Sequence, residues 1–191
     1  MKNASRRRWL LGAGGMVVLG AGCGTRPIRA ANPDGTYCYE VGKRYHPKRT
    51  CTSEPIPAEE VAVDARSLEG VSDLLTVYIV RSSWTDVGTV VGVATTGRAP
   101  VEMVPESFAR LRLLPGRHRL SLTWDEGYAD LEIAGRAADT LLVEIRHRSW
   151  AGAQRFVLEA GSAREALPRV AALRLVADRQ WASSVGQPSS R

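Results

Sequence analysis

The sequence predicts a mainly β fold, an antiparallel β-sandwich carrying one or two short helices. Three observations lead there. From Leu74 onward the apolar residues recur with a period of two, in short runs mostly bounded by Gly, Pro or Asp. Eight such runs fall within about 90 residues, the density of a sandwich or barrel rather than of strands alternating with helices. Composition agrees with a packed body: 44% of the 191 residues are apolar and 24% are charged. A disordered chain carries fewer apolar residues and a more lopsided charge.

The chain opens with a leader. Lys2, Arg6, Arg7 and Arg8 precede an uncharged apolar stretch over residues 9–22, too short for a bilayer-spanning helix, which takes about 20 residues. Residues 1–22 therefore read as an export signal. Ser5-Arg6-Arg7-Arg8-Trp9-Leu10 resembles a twin-arginine signal, and Leu19-Gly20-Ala21-Gly22-Cys23 resembles a bacterial lipobox, with its leucine one residue early. That resemblance implies acylation of Cys23 and anchoring to a membrane. The leader also accounts for most of the charge. The formal +6 comes from 26 bases against 20 acids, and without the leader's four cations the balance is 22 to 20. A nucleic-acid partner is not expected on that balance.

Residues 23–36, polar and containing Pro27, Pro33 and Gly35, read as a tether. Residues 37–70 read as an extension stapled by Cys38 and Cys51, followed by a short helix over 58–68. In an oxidising compartment an isolated cysteine pair is most simply a disulfide. A metal site of Cys38, His46 and Cys51 would supply three ligands where structural zinc takes four, so no metal is expected. The helix is marked by Pro57 at its start, by Glu59 and Glu60 where the dipole favours acids, and by Gly70 beyond its end. Residues 71–178 form the sandwich domain, with strands expected at 75–81, 89–94, 99–104, 107–114, 117–124, 128–134, 140–148 and 154–159. A helix over 163–172 and a strand over 173–177 complete it. The arrangement expected is immunoglobulin- or transthyretin-like. Residues 179–191 are rich in Ser, Gly and Pro and read as a flexible tail.

Pro115-Gly116 separates two alternating runs and predicts a two-residue hairpin. In that register Leu113 faces His118 and Leu111 faces Leu120, while Arg112 lies opposite Arg119 on the other face. Together with Arg110 and Arg117, these arginines suggest a site for anionic glycans or lipid headgroups. A turn at Asp125-Glu126 would instead set Glu132 opposite Arg119 and Asp130 opposite Ser121, giving a solvated ladder of ion pairs that stabilises little.

The strands 75–81 and 87–97, the stretch Leu113-Leu114-Pro115-Gly116-Arg117-His118-Arg119-Leu120, and Arg164-Glu165-Ala166-Leu167-Pro168 resemble a recurring bacterial envelope domain of unknown function. The likeness covers about residues 74–177, and Thr96-Gly97-Arg98 departs from that family's Asp-Gly turn. It implies a β-sandwich behind a lipoprotein signal and carries no catalytic residues.

Chemistry is sparse. His118 and His147 fall in register with apolar neighbours and are candidates for a ligand or a general base; a histidine at a strand end more often bonds a turn carbonyl. Trp84, Trp124 and Trp150 stand near strand ends, where they either line a sugar or lipid site or close the core. The Gly-x-Ser-x-Gly elbow, the phosphate loop and the dinucleotide fingerprint are all missing from the sequence. Neither an enzymatic activity nor a cofactor is expected. Two readings follow. One is a lipid-anchored envelope protein that binds a protein or cell-wall component. The other is a periplasmic carrier or sensor holding a small molecule or metal in the sandwich. The candidate binding residues are His118, His147, Trp124, Arg112 and Arg119.

Overall fold

A computed structural model describes residues 25–28, 31–43, 45–84, 86–150 and 153–181. Along the chain lie β1 (Arg26–Pro27), β2 (Tyr37–Val41), β3 (Lys48–Thr52), α1 (Glu59–Arg66), β4 (Leu75–Arg81) and β5 (Val91–Thr95). They are followed by β6 (Val101–Met103), β7 (Ser107–Leu113), β8 (Gly116–Trp124), β9 (Gly127–Gly135), β10 (Thr140–Trp150), β11 (Ala153–Gly161), α2 (Ala163–Ala172) and β12 (Arg174–Gln180).

Two sheets make the sandwich: β11-β10-β4-β7-β12 and β6-β5-β8-β9. Their facing sides supply Leu75, Val77 and Ile79 from β4, Ala109, Leu111 and Leu113 from β7, and Val91, Val93, Leu120 and Leu122 from β5 and β8. All of these are buried. Burying one such side chain contributes about 1.5–3 kcal/mol, so this interface is the main source of stability. The fold is the mainly β sandwich that the alternation predicts.

The five-stranded sheet has a second buried face. Tyr78, Val80, Phe108, Leu142 and Leu175 pack with Ala62 and Ala65 of α1 and Val170 of α2. That is why β4 is buried at every position, and why residues 77–80 read as a continuous apolar run rather than a clean alternation. Helix α2 starts where Ser162 accepts from the Glu165 backbone N–H, satisfying one of the amides a helix N-terminus leaves open.

Two pairings in this sheet are parallel, β10 with β4 and β12 with β7. Parallel neighbours need a long crossover: the whole four-stranded sheet lies between β4 and β10 in the chain, and β8 to β11 with α2 lie between β7 and β12. The expected hairpin at Pro115-Gly116 is corrected as well. β7 pairs with β4 and β12, and β8 with β5 and β9. The chain turns a corner there, from one sheet into the facing one, with Gly116 at φ 142°, where only glycine is unstrained. Leu113 therefore faces Leu75, and His118 faces Ile133. Arg112 and Arg119 stand on different sheets. Alternation cannot separate these outcomes, because strands in facing sheets and strands in one hairpin both turn their apolar side to the same core.

A third sheet, β1-β2-β3, carries the disulfide. Cys38 lies directly opposite Cys51 and is bonded to it, with Cα atoms 3.9 Å apart. Tyr39 and Val41 of β2 reach into the main core, so the staple is tied to the sandwich. Within the segment read as a tether, β1 pairs with β2 through Arg26 opposite Glu40 and Pro27 opposite Tyr39.

Candidate functional site

The residues singled out from the sequence do not converge. The two arginines meet carboxylates in separate places. Arg112 donates to Asp178 at 2.8 Å, beside Arg110, which reaches Asp178 at 2.8 Å and Asp64 at 2.6 Å. Burial disfavours the charge on Arg110, but hydrogen bonds and attraction from Asp178 and Asp64 outweigh it and hold its pKa above the ordinary range. On the other sheet Arg119 lies opposite Glu132 and pairs diagonally with Asp130 at 2.6 Å, which also accepts from Ser121 at 2.7 Å. The solvated ladder is what the turn at Asp125-Glu126 predicts.

The histidines are separated too. His118 Nε2 lies 2.8 Å from the Leu114 carbonyl oxygen, the turn contact expected of a histidine at a strand start. His147 faces Phe156 across β10 and β11, with ring centroids 5.1 Å apart. Trp124 meets the same phenylalanine edge-on at 5.4 Å. Since His118 and Trp124 are six residues apart on β8, about 20 Å along a strand, His147 and Trp124 share one end of the sandwich and His118 occupies the other. Among the described residues no group of three or more His, Cys, Asp or Glu is placed to hold a metal ion. The side chain of Trp150, like Cys23, lies outside the described residues.

Around Trp124 the surface forms a cleft of about 500 Å³ between Trp124, Gly127, Tyr128, Arg155 and Phe156. A Cβ at Gly127 would lie 2.7 Å from the Trp124 ring, so the glycine lets the indole fold down over the β8–β9 turn.

A second cleft was touched by the sequence reading only at Trp84. β4 ends its core-facing series Leu75, Val77, Ile79 on Arg81, which is 1% exposed. The Arg81 guanidinium donates to the Met103 carbonyl at 2.7 Å and to Asp86, and its central carbon lies 5.3 Å from the Phe156 ring centroid. Burial pushes its pKa down, opposed by Asp86. This pair pins the loop after β4. The Asp86 backbone carbonyl accepts from the Thr89 backbone N–H at 3.0 Å, and the Thr50 hydroxyl on β3 donates to the Val87 carbonyl. Trp84 and Val87 are thereby set against the β2–β3 turn.

The resulting hollow of about 370 Å³ is lined by Gly42, Lys43, Tyr45, Lys48, Trp84 and Val87. The Lys43 ammonium lies 5.4 Å from the Trp84 ring centroid and 5.7 Å from that of Tyr45, within reach of both π faces. Tyr45 is 72% exposed and Trp84 45%. The Glu106 carboxyl accepts from the backbone N–H of Gly42, one of the lining residues, and burial raises its pKa. The only local sign of this cleft is Trp84 near a strand end; Arg81 and Asp86 find each other through the fold.

No helix among the described residues is long and apolar enough to cross a membrane. Compared with protein-family models, with curated proteins and with solved structures, the chain finds no match.

Proposed function

We propose that this chain is an exported, lipid-anchored envelope protein that acts by binding rather than by turnover. The observation that carries this reading is the Cys38–Cys51 bond, closed across an antiparallel pair and following a cationic, apolar, cysteine-terminated leader. Disulfides persist in oxidising compartments, and a leader of this pattern directs a chain to one. Acyl chains on Cys23 would each add about 0.8 kcal/mol per buried methylene, enough together for stable anchoring. The resemblance of residues 74–177 to envelope domains supports the same address. The binding surfaces on offer are the two aromatic clefts, since the arginines are neutralised by carboxylates within the fold.

Fractionation of cells expressing the full chain, with metabolic palmitate labelling, tests this reading. The chain is expected in the membrane fraction carrying label, and Cys23→Ser is expected to abolish the label. An unlabelled chain in the cytosolic fraction would refute it. The second reading, a carrier, rests on the cleft beside Trp124. It predicts an apolar or aromatic small molecule retained in native mass spectrometry and lost when Trp124 is replaced by Ala.

A further inference from the structure

We infer that the face formed by Lys43, Tyr45, Lys48 and Trp84 lies on the headgroup layer of an anionic bilayer, so that this body is held flat against the membrane. The inference rests on the lipid-anchor reading above and adds an orientation and a lipid chemistry to it.

Position comes first. β1 and β2 are antiparallel, with Arg26 opposite Glu40 and Pro27 opposite Tyr39. Moving toward the N-terminus on β1 therefore moves toward the β2–β3 turn on β2. Thr25 is buried, and its hydroxyl donates to the Pro105 carbonyl at 2.6 Å. The next residue, Glu106, is the one that accepts from Gly42, which lines the cleft. Cys23 is two residues before Thr25, no more than about 7 Å along an extended chain. An acyl anchor at Cys23 would keep Thr25, and with it the end that carries Lys43, Tyr45 and Trp84, within about that distance of the bilayer.

The chemistry fits the same surface. Trp and Tyr favour the membrane–water boundary, where the ring is half in hydrocarbon and the polar edge stays wet. Lysines on flexible stems reach lipid phosphates, and each near an anionic surface is worth about a fivefold change in partitioning. A glycan fits less well. A sugar stacks on a free aromatic face, and here the Lys43 ammonium lies over both rings. Little ordering is needed for membrane contact, because Arg81, Asp86 and the Thr50–Val87 hydrogen bond already fix the loop that bears Trp84.

The test uses the acylated full chain recovered from bacterial membranes. It is reconstituted into phosphatidylethanolamine vesicles containing one quarter phosphatidylglycerol, part of it brominated near the headgroup. Flotation reports the anchor, and the fluorescence difference between the parent and Trp84→Phe reports this face. We expect the chain to float and the Trp84 signal to be quenched. In Lys43→Glu/Lys48→Glu, shown by near-ultraviolet circular dichroism to keep its fold, we expect equal flotation and at least fivefold less quenching. A chain that floats with Trp84 unquenched overturns this inference and leaves the anchor standing, and protection of Trp84 by peptidoglycan fragments instead would assign the cleft to glycan. A chain that fails to float overturns the anchor reading and this inference with it.

Discussion

The two sheets of the sandwich carry the same alternation of arginine with apolar residues and place it in opposite surroundings. On β7, Arg110 is buried between Asp178 and Asp64 of α1, with the Asp64 carboxylate at the solvent rim, and Arg112 shares Asp178 from a partly exposed position. On β8, the face bearing Arg119 looks into solvent and meets Asp130 there. Arg81 goes further, ending the core-facing row of β4 wholly buried against Asp86. The lesson is that alternation identifies which side of a strand meets the core and says nothing about what covers the other side. The energetic worth of each pair follows from the cover.

The sharpest way to break this comparison is at Asp86. Asp86→Ala strands a buried guanidinium and is expected to lower unfolding free energy by about 3–5 kcal/mol in urea titrations. A loss comparable to that of a surface ion pair would mean that Arg81 reaches water. The staple comes next: Cys38→Ala/Cys51→Ala is expected to lose about 3 kcal/mol by the loop-entropy relation, measured the same way under non-reducing conditions. Arg110→Ala, which leaves Asp178 nearly buried beside Arg112 alone, is expected to lose about 2 kcal/mol.

A pH series sharpens the contrast between dry and wet groups. Burial pushes the Tyr39 phenol from 10.0 up to about 12. The folded chain then keeps a proton that the unfolded chain sheds, so the contribution is full below pH 10 and is lost as pH rises toward 12. Tyr39→Phe is expected to flatten that alkaline decline. The smallest effect belongs to the solvated ladder, where Arg119→Ala is expected to leave Tm unchanged within error. A clear drop would erase the distinction between the two sheets.

The strands were legible because they are short and alternate: residues 75–81 and 163–172 read from the sequence coincide with β4 and α2. The disulfide was legible because Cys38 and Cys51 are the cysteines left once Cys23 is read as the end of a leader. The β7–β8 corner was not, since a tight Pro-Gly turn between alternating runs serves a hairpin and a sheet crossing equally well. The second cleft was not, because Lys43 and Trp84 are 41 residues apart in the sequence and meet only through the Arg81–Asp86 pair and Thr50. His118 and His147 looked alike by pattern and stand at opposite ends of the sandwich.

The central claim is that a fatty anchor and an oxidised staple belong to one exported chain. Intact mass of the chain extracted from bacterial membranes, alkylated before and after reduction, tests it directly. The account predicts a first residue at Cys23 carrying acyl mass, with Cys38 and Cys51 alkylated only after reduction. A chain starting at Met1, unacylated and with its cysteines alkylated at once, would contradict it.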